Sequence, residues 1–381
     1  MFSLIFKEQK GLIKKMSELS EMSKSKKMSK SKKAGKVPVL GGVFLAAIAV
    51  CGIFAGCRKK DGGLAGNLPS EDRKISVVAT IFPEYDWVKN LIEGVEGVEL
   101  ELLLKNGTDL HSYQPGTGDI VKISNADLFI YVGGESDFWV SQVLKNSGNK
   151  NQFVVSLMEI LSQEAKEEET VEGMQVSEEH DHWEGEGGSR EEGEAHEDGE
   201  EEIEYDEHLW LSVKNAKKAV VKIAEYLEVL DLENSSLYAK NLENYLAQLD
   251  GLLTYGEELK KNSGFSEKPL IFCDRFPFRY MTDELGLKYL AAFSGCSAET
   301  EASFETIAFL SQKVREFDQN KVFVTETSDK KIAETVIKNA GFDGKCRIVS
   351  VDSMQSATQA QIKAGKNYIG VMKENYSKIF E

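Results

Sequence analysis

From about residue 74, short runs of apolar and β-branched residues bounded by turns alternate with longer stretches whose apolar positions recur at helical spacing. Eight runs read as strands: ISVVAT (75–80), VELELLL (98–104), DLFIYV (127–132), QFVVSL (152–157), PLIFC (269–273), LKYLAAF (287–293), KVFVTE (321–326) and RIVSVD (347–352). Apolar strands separated by amphipathic helices predict an α/β fold with mostly parallel sheets. Between the two sets of strands, helical spacing begins near Leu211 and runs to about Lys261. Leu237, Leu242, Tyr245, Leu246, Leu249, Leu252 and Leu253 give it an apolar stripe close to the 3.6 period. Further helices are expected near 303–316, 329–340 and 359–380. The pattern predicts an N-terminal lobe at 74–232, one long linker helix at 233–264 and a C-terminal lobe at 265–381. No GxGxxG or GxxxxGK[ST] supports a nucleotide site, and no internal repeat is visible.

Charge changes this picture at two places. The chain of 381 residues carries a formal charge of -17, which argues against a nucleic-acid partner, since phosphate neutralisation needs a basic surface. Residues 1–60 are nevertheless strongly basic, with 14 Lys+Arg against three Glu, and they contain the uncharged stretch VPVLGGVFLAAIAVCGIFAG at 37–56. A run of about twenty apolar residues is long enough to span a bilayer. Ala55 and Gly56 directly before Cys57 resemble instead a bacterial lipobox, at which residues 1–57 act as leader and signal and Cys57 is lipidated. An uncleaved anchor is the alternative, and both put residue 58 onward on the extracytoplasmic face of the cell membrane. Residues 58–73 read as a flexible tether.

The second block, 164–207, holds 21 Asp+Glu against two basic residues, and also His180, His182 and His196. Such a segment cannot bury enough apolar surface to fold and is expected to be a disordered loop. It reads either as a solvated loop or as an auxiliary metal loop that raises the local cation concentration.

In open α/β sheets, ligands bind beyond the carboxyl ends of the strands. Those ends supply His111 after VELELLL, Cys273 and Asp274 at the end of PLIFC, Glu326 after KVFVT and Asp352 after RIVSV, while His208 opens the helix after the acidic block. Imidazole, thiolate and carboxylate from both lobes are a donor set for a first-row divalent cation. Taken singly, a histidine at a helix start also fits a cap or surface residue, and Asp352 before Ser353 fits an N-cap.

With these residues in place, the chain from about 74 to 381 resembles the metal-specific (cluster A-I) substrate-binding lipoproteins of zinc and manganese ABC transporters. The resemblance is carried by VVATIFPEYDWVKNL (77–91), LLLKNGTDLHSYQPGTGDI (102–120), ADLFIYVGGESDFWV (126–140), EHLWLSVKNA (207–216) and VDSM (351–354). It implies two lobes joined by a rigid helix, with a metal site in the inter-lobe crevice. It also implies the ligands: His111, His208, Cys273 where zinc members carry His, and Asp352. Asp274, Glu299 and Glu301 are the substitute oxygen donors. If Cys57 is acylated, Cys273, Cys296 and Cys346 allow at most one disulfide, and pairing Cys296 with Cys346 would leave Cys273 free.

The resemblance implies a lipid-anchored monomer that captures Zn2+ and hands it to a membrane ABC permease. It implies no enzyme activity, and a thiolate donor favours zinc over manganese. The rival readings are a manganese-binding counterpart, a surface adhesin, and a metallohydrolase with three protein ligands and a water.

Overall fold

A computed structural model describes residues 74–175, 204–264, 268–297 and 301–381. The leader, the tether, Cys57, His180, His182, His196 and Glu299 lie outside the described residues. All eight expected strands form, within a unit running from Ile75 to Glu381.

The first half builds β1 (Ile75–Ala79), α1 (Phe82–Leu91), β2 (Val98–Leu102), α2 (Thr117–Asn125), β3 (Leu128–Tyr131), α3 (Val140–Lys145), β4 (Phe153–Ser156) and α4 (Leu157–Ile160). Two long helices follow, α5 (Val213–Leu230) and α6 (Ser235–Asn262). The second half builds β5 (Leu270–Phe276), α7 (Arg279–Leu285), β6 (Tyr289–Ser294), α8 (Phe304–Glu316), β7 (Lys321–Thr325), α9 (Lys331–Ala340), β8 (Arg347–Val351), α10 (Gln359–Lys363) and α11 (Tyr368–Phe380). Each half forms a four-stranded parallel sheet, ordered β2-β1-β3-β4 and β6-β5-β7-β8. Every residue of β3 is buried, as expected of a parallel strand covered on both faces.

The helical stretch from about Leu211 to Lys261 forms as two helices, divided at 231–234, beside the expected start of the linker helix at 233. Asp231 breaks it by accepting hydrogen bonds from Asn234 through both carboxylate oxygens, at 3.2 and 2.8 Å. The buried stripe of α6 is Tyr238, Asn241, Tyr245, Leu249, Leu252 and Gly256, which takes in Tyr245, Leu249 and Leu252 of the expected stripe and leaves Leu237, Leu242, Leu246 and Leu253 half-buried at its edges. Each large apolar side chain on that stripe contributes roughly 1.5–3 kcal/mol by leaving water. The helix is a strut with both ends tied. Asn241 Nδ2 donates to the carbonyls of Leu91 and Glu93 beside α1, while Tyr255 hydrogen-bonds Ser377 on α11 and Lys260 caps the carbonyl of Leu285. The two halves also interlock directly: Tyr368 N donates to Asp86 at 2.9 Å and Tyr368 Oη to Trp210 O at 2.7 Å, while Trp210 Nε1 donates to Ser353 O at 2.8 Å.

The acidic insertion is tied down at both ends. Glu167 and Tyr205 form an antiparallel bridge, Glu168 N donates to Glu204 O, and Asp206 N donates to Lys166 O. The first arm continues onto the C-terminal sheet, with Gln175 N donating to Ala292 O, Tyr280 Oη accepting from Lys166 N, and Arg279 pairing with Glu169. Its polar backbone and carboxylates find donors on the neighbouring lobe, so these ends depart from the disorder that composition alone predicts. Among the described residues, no helix is long and apolar enough to cross a membrane.

Candidate metal centre

Two loops from the first half set the centre. The loop after β2 turns through Leu110–Ser112, where Asp109 Oδ1 accepts the backbone N–H of His111 at 3.0 Å and holds that ring in the crevice. His208 enters a second tight turn, Leu209–Leu211, and is fully buried. The two imidazoles meet with Nε2 atoms 3.2 Å apart. Two nitrogens about 2.0–2.1 Å from a tetrahedral zinc would lie about 3.3–3.4 Å apart, so the pair is spaced for one shared ion.

The remaining nitrogens are engaged from behind. Asp206 Oδ1 lies 2.8 Å from His208 Nδ1 and also accepts the His208 backbone N–H at 2.9 Å. A carboxylate only accepts, so Nδ1 carries a proton and Nε2 faces the crevice, the orienting arrangement usual behind metal-binding histidines. His111 Nδ1 lies 2.7 Å from Ser136 Oγ. Tyr280 Oη donates to Asp206 O at 2.8 Å, fixing the second arm of the insertion that carries Asp206.

The third donor comes from the second half. Cys296 follows β6, and among the described residues the ligand atoms of His111, His208 and Cys296 all lie within 4.8 Å of one another. Gly295 makes this approach possible, because a Cβ there would stand 3.0 Å from the His208 ring. The two rings and the sulfur therefore form a mixed nitrogen and thiol cluster suited to a borderline-soft cation.

Burial and the neighbouring imidazole push His111 down to about 3, so it is neutral and offers a lone pair. Burial also works against charge on His208, but the hydrogen bond and charge of Asp206, with Glu168 and Glu207 beyond it, raise its pKa. The proton of this pair therefore sits on His208, shared toward His111, and an entering cation must displace it. Burial, then the charges of Glu168, Asp206 and Glu207, push the Cys296 thiol up, so it too gives up a proton to a metal.

A cavity of about 230 Å³ opens on the cluster, lined by His111, Glu135, Ser136, Glu168, Glu204, Tyr205, Glu207 and Cys296. Glu207 is 2% exposed; its Oε1 accepts from Ser136 N at 3.0 Å. Gly134, at φ 79, admits that carboxylate, since a Cβ would stand 2.3 Å from Oε1. On the opposite side the crevice is closed by a cross-lobe contact, with Arg275 pairing with Asp109 at 2.7 Å and Gln355 bridging Asp109 and His208.

The structure does not bring Cys273 or Asp352 to this cluster. Strand alternation turns Cys273 to the face it shares with Ile271, where it is 1% exposed among Leu310, Val314, Val322, Val324, Ala333 and Val336. Asp352 is spent on local structure: Oδ1 accepts from Met354 N at 2.8 Å and Oδ2 pairs with Lys366 at 2.6 Å. Asp274 accepts from the backbone and hydroxyl of Thr325 and from Arg275 N. Glu301 is exposed. Glu326 is held by Ser353 and Ser356. Cys273, Cys296 and Cys346 are all free thiols, so the Cys296 and Cys346 pairing does not form. Cys296 is absent from the ligand set that the resemblance implies, yet it follows the carboxyl end of β6 as Asp352 follows β8, and that position is the sequence signal for it.

A strut-braced pair of parallel α/β lobes with soft and borderline donors gathered between them, two from the loops after β2 and β6 and one from the turn that ends the acidic insertion, defines the class of two-lobed metal-binding proteins. The chain belongs to the family described as "Zinc-uptake complex component A periplasmic", which it matches over residues 77–381. It is 29% identical over 311 residues to the zinc-binding lipoprotein AdcA of Streptococcus pneumoniae, a match covering 81% of this chain but 56% of that protein's length. It is 26% identical over 340 residues to the high-affinity zinc uptake system protein ZnuA of Bacillus subtilis, covering 88% and 93% of the two chains. In fold it is similar to the Zn(II)-bound ZnuA-like domain of pneumococcal AdcA, with TM-score 0.58 and 24% identity over 81% of this chain and 98% of that one. It is likewise similar to the periplasmic zinc-binding protein TroA of Treponema pallidum, with TM-score 0.60 and 22% identity over 81% and 98%.

Proposed function

We propose that this protein captures Zn2+ between His111, His208 and Cys296 and delivers it to an ABC permease for import. The observation that carries the reading is the pair of Nε2 atoms 3.2 Å apart, backed by Asp206 and Ser136 and facing the Cys296 sulfur. The family and the zinc-binding names of its relatives support the same ion. Two imidazoles and a thiolate favour zinc over manganese, which prefers harder oxygen donors. Cys273 and Asp352 do not enter the proposed set, because one is packed in an apolar core and the other is paired with Lys366.

Capture exchanges protons for the ion: zinc takes the place of the proton on His208 Nε2 and of the thiol proton of Cys296. The ion is cargo, so the protein acts as a carrier and not as an enzyme. The α6 strut and the Tyr368 and Trp210 interlocks leave release to motion of the loops that carry His111, His208 and Cys296. In this reading the protein is a monomer held at the extracytoplasmic face of the membrane through lipidated Cys57, and the acidic loop with His180, His182 and His196 collects cations near the crevice. Competitive chelator titration tests it: one tight Zn2+ per chain, lost in a His111→Ala, His208→Ala double variant, is the expected result. No tight Zn2+ in the wild type would refute it.

A further inference from the structure

Resting on the zinc reading of this centre, we infer that the fourth ligand is Glu168, supplied by the anchored root of the acidic insertion rather than by the strand ends of the C-terminal sheet. Glu168 lines the same cavity as His111 and Cys296. Its Oε1 accepts from the backbone N–H of Gly295 at 2.9 Å and of Cys296 at 3.4 Å, which fixes the carboxylate against the residue that carries the thiol. Its Oε2 is buried with no hydrogen-bond partner. Glu207, 2% exposed in the same cavity, has the same orphan: its Oε2 is buried and unpartnered, 3.9 Å from His111 Nδ1. Two buried carboxylate oxygens with no donor beside two imidazoles and a thiol are costly unless a cation enters among them.

Glu207 stands on the Nδ1 side of His111, behind the ring, so it orients and balances charge. Glu168 is held on the Cys296 side by the Gly295 and Cys296 N–H groups. It stands outside the 4.8 Å cluster of two nitrogens and a sulfur, whose fourth corner its side chain closes on as the ion enters. The other wall offers no free carboxylate: Asp352 is paired with Lys366, Asp109 with Arg275, and the oxygen nearest His208 Nε2 there is the neutral amide Oε1 of Gln355, at 3.1 Å. The anchoring of the root explains how an acidic insertion reaches the centre. The bridge between Glu167 and Tyr205 places Glu168 on one arm opposite Asp206, Glu207 and His208 on the other.

The test is zinc affinity by chelator competition and the absorption spectrum of the Co2+-loaded full chain, in wild type, Glu168→Gln and Asp352→Asn. Glutamine keeps an acceptor for Gly295 N, so the fold is preserved, and an unchanged thermal midpoint without metal checks this. Glu168→Gln is expected to weaken Zn2+ by at least about tenfold, the lower edge of what losing an outer partner of a ligand already costs. Its visible cobalt bands should shift while the sulfur-to-cobalt band remains, and Asp352→Asn should match the wild type. A deletion of residues 176–200, which keeps Glu168, is expected to retain the affinity. Wild-type affinity and an unshifted spectrum in Glu168→Gln would overturn the inference, as would a tenfold loss in Asp352→Asn or in the deletion. Absence of tight Zn2+ in the wild type would overturn the zinc reading together with it.

Discussion

Cys273 lies in β5 and Cys296 just past the neighbouring strand β6 of the same sheet, yet one faces a helix-covered core and the other faces the crevice. Cys273 lies within β5, where alternation commits each side chain to a face, and its face is closed by α8 and α9. Cys296 lies just beyond β6, where the chain has left the pleat and turns over the carboxyl edge against His208. The same thiol is thus a small apolar filler in one place and a metal donor in the other. What decides is position relative to the strand end, not residue type.

The sharpest way to break this contrast is to exchange each thiol for a hydroxyl. Cys296→Ser should weaken Zn2+ by at least about a hundredfold, since it removes a direct donor where losing an outer partner already costs about 10–100-fold. Equal losses in Cys273→Ser would erase the distinction. Protons give the next largest effect. Because the Cys296 thiol is pushed up, zinc affinity should fall about tenfold for each unit of pH below that raised pKa, one proton being released per ion. Below the raised pKa of His208, that proton is released as well, and the fall should steepen to about a hundredfold per unit. His111, pushed down to about 3, adds no further slope until far lower pH. Titrations at several pH values read this directly, and a slope without a break would contradict the assignment of the proton to His208.

Asp206→Asn sharpens the comparison from behind the ring. It keeps the size but weakens the acceptor at His208 Nδ1, and should cost about 10–100-fold in affinity with little change in unfolding midpoint. The smallest effect on zinc belongs to the core thiol: Cys273→Ser should leave affinity unchanged and cost about 1–3 kcal/mol of stability, read by denaturant unfolding, because it buries a hydroxyl without a partner.

Much of this molecule was legible in its sequence for physical reasons. Most of the eight strands are short apolar or β-branched runs, and the histidine pair stands in two polar segments, one beyond the end of β2 and one at the end of the acidic block. The inter-lobe helix was legible in extent, with its start expected at 233, while the side-chain capping at Asp231 that fixes this start is not reported by hydrophobic spacing. Cys273 misled because motif alignment places a residue along the strand without saying which face it takes. Asp352 looked like a donor at a strand end, and only the approach of Lys366 from fourteen residues further on shows it engaged. The ends of the acidic insertion read as disordered because their partners, Arg279, Tyr280 and Gly295, are supplied by a distant part of the chain.

The central claim is that His111, His208 and Cys296 hold one zinc ion, and cobalt substitution tests it most directly. The account predicts a strong sulfur-to-cobalt charge-transfer band in the wild type and in Cys273→Ser, abolished in Cys296→Ser. A band that persists in Cys296→Ser and disappears in Cys273→Ser would contradict it.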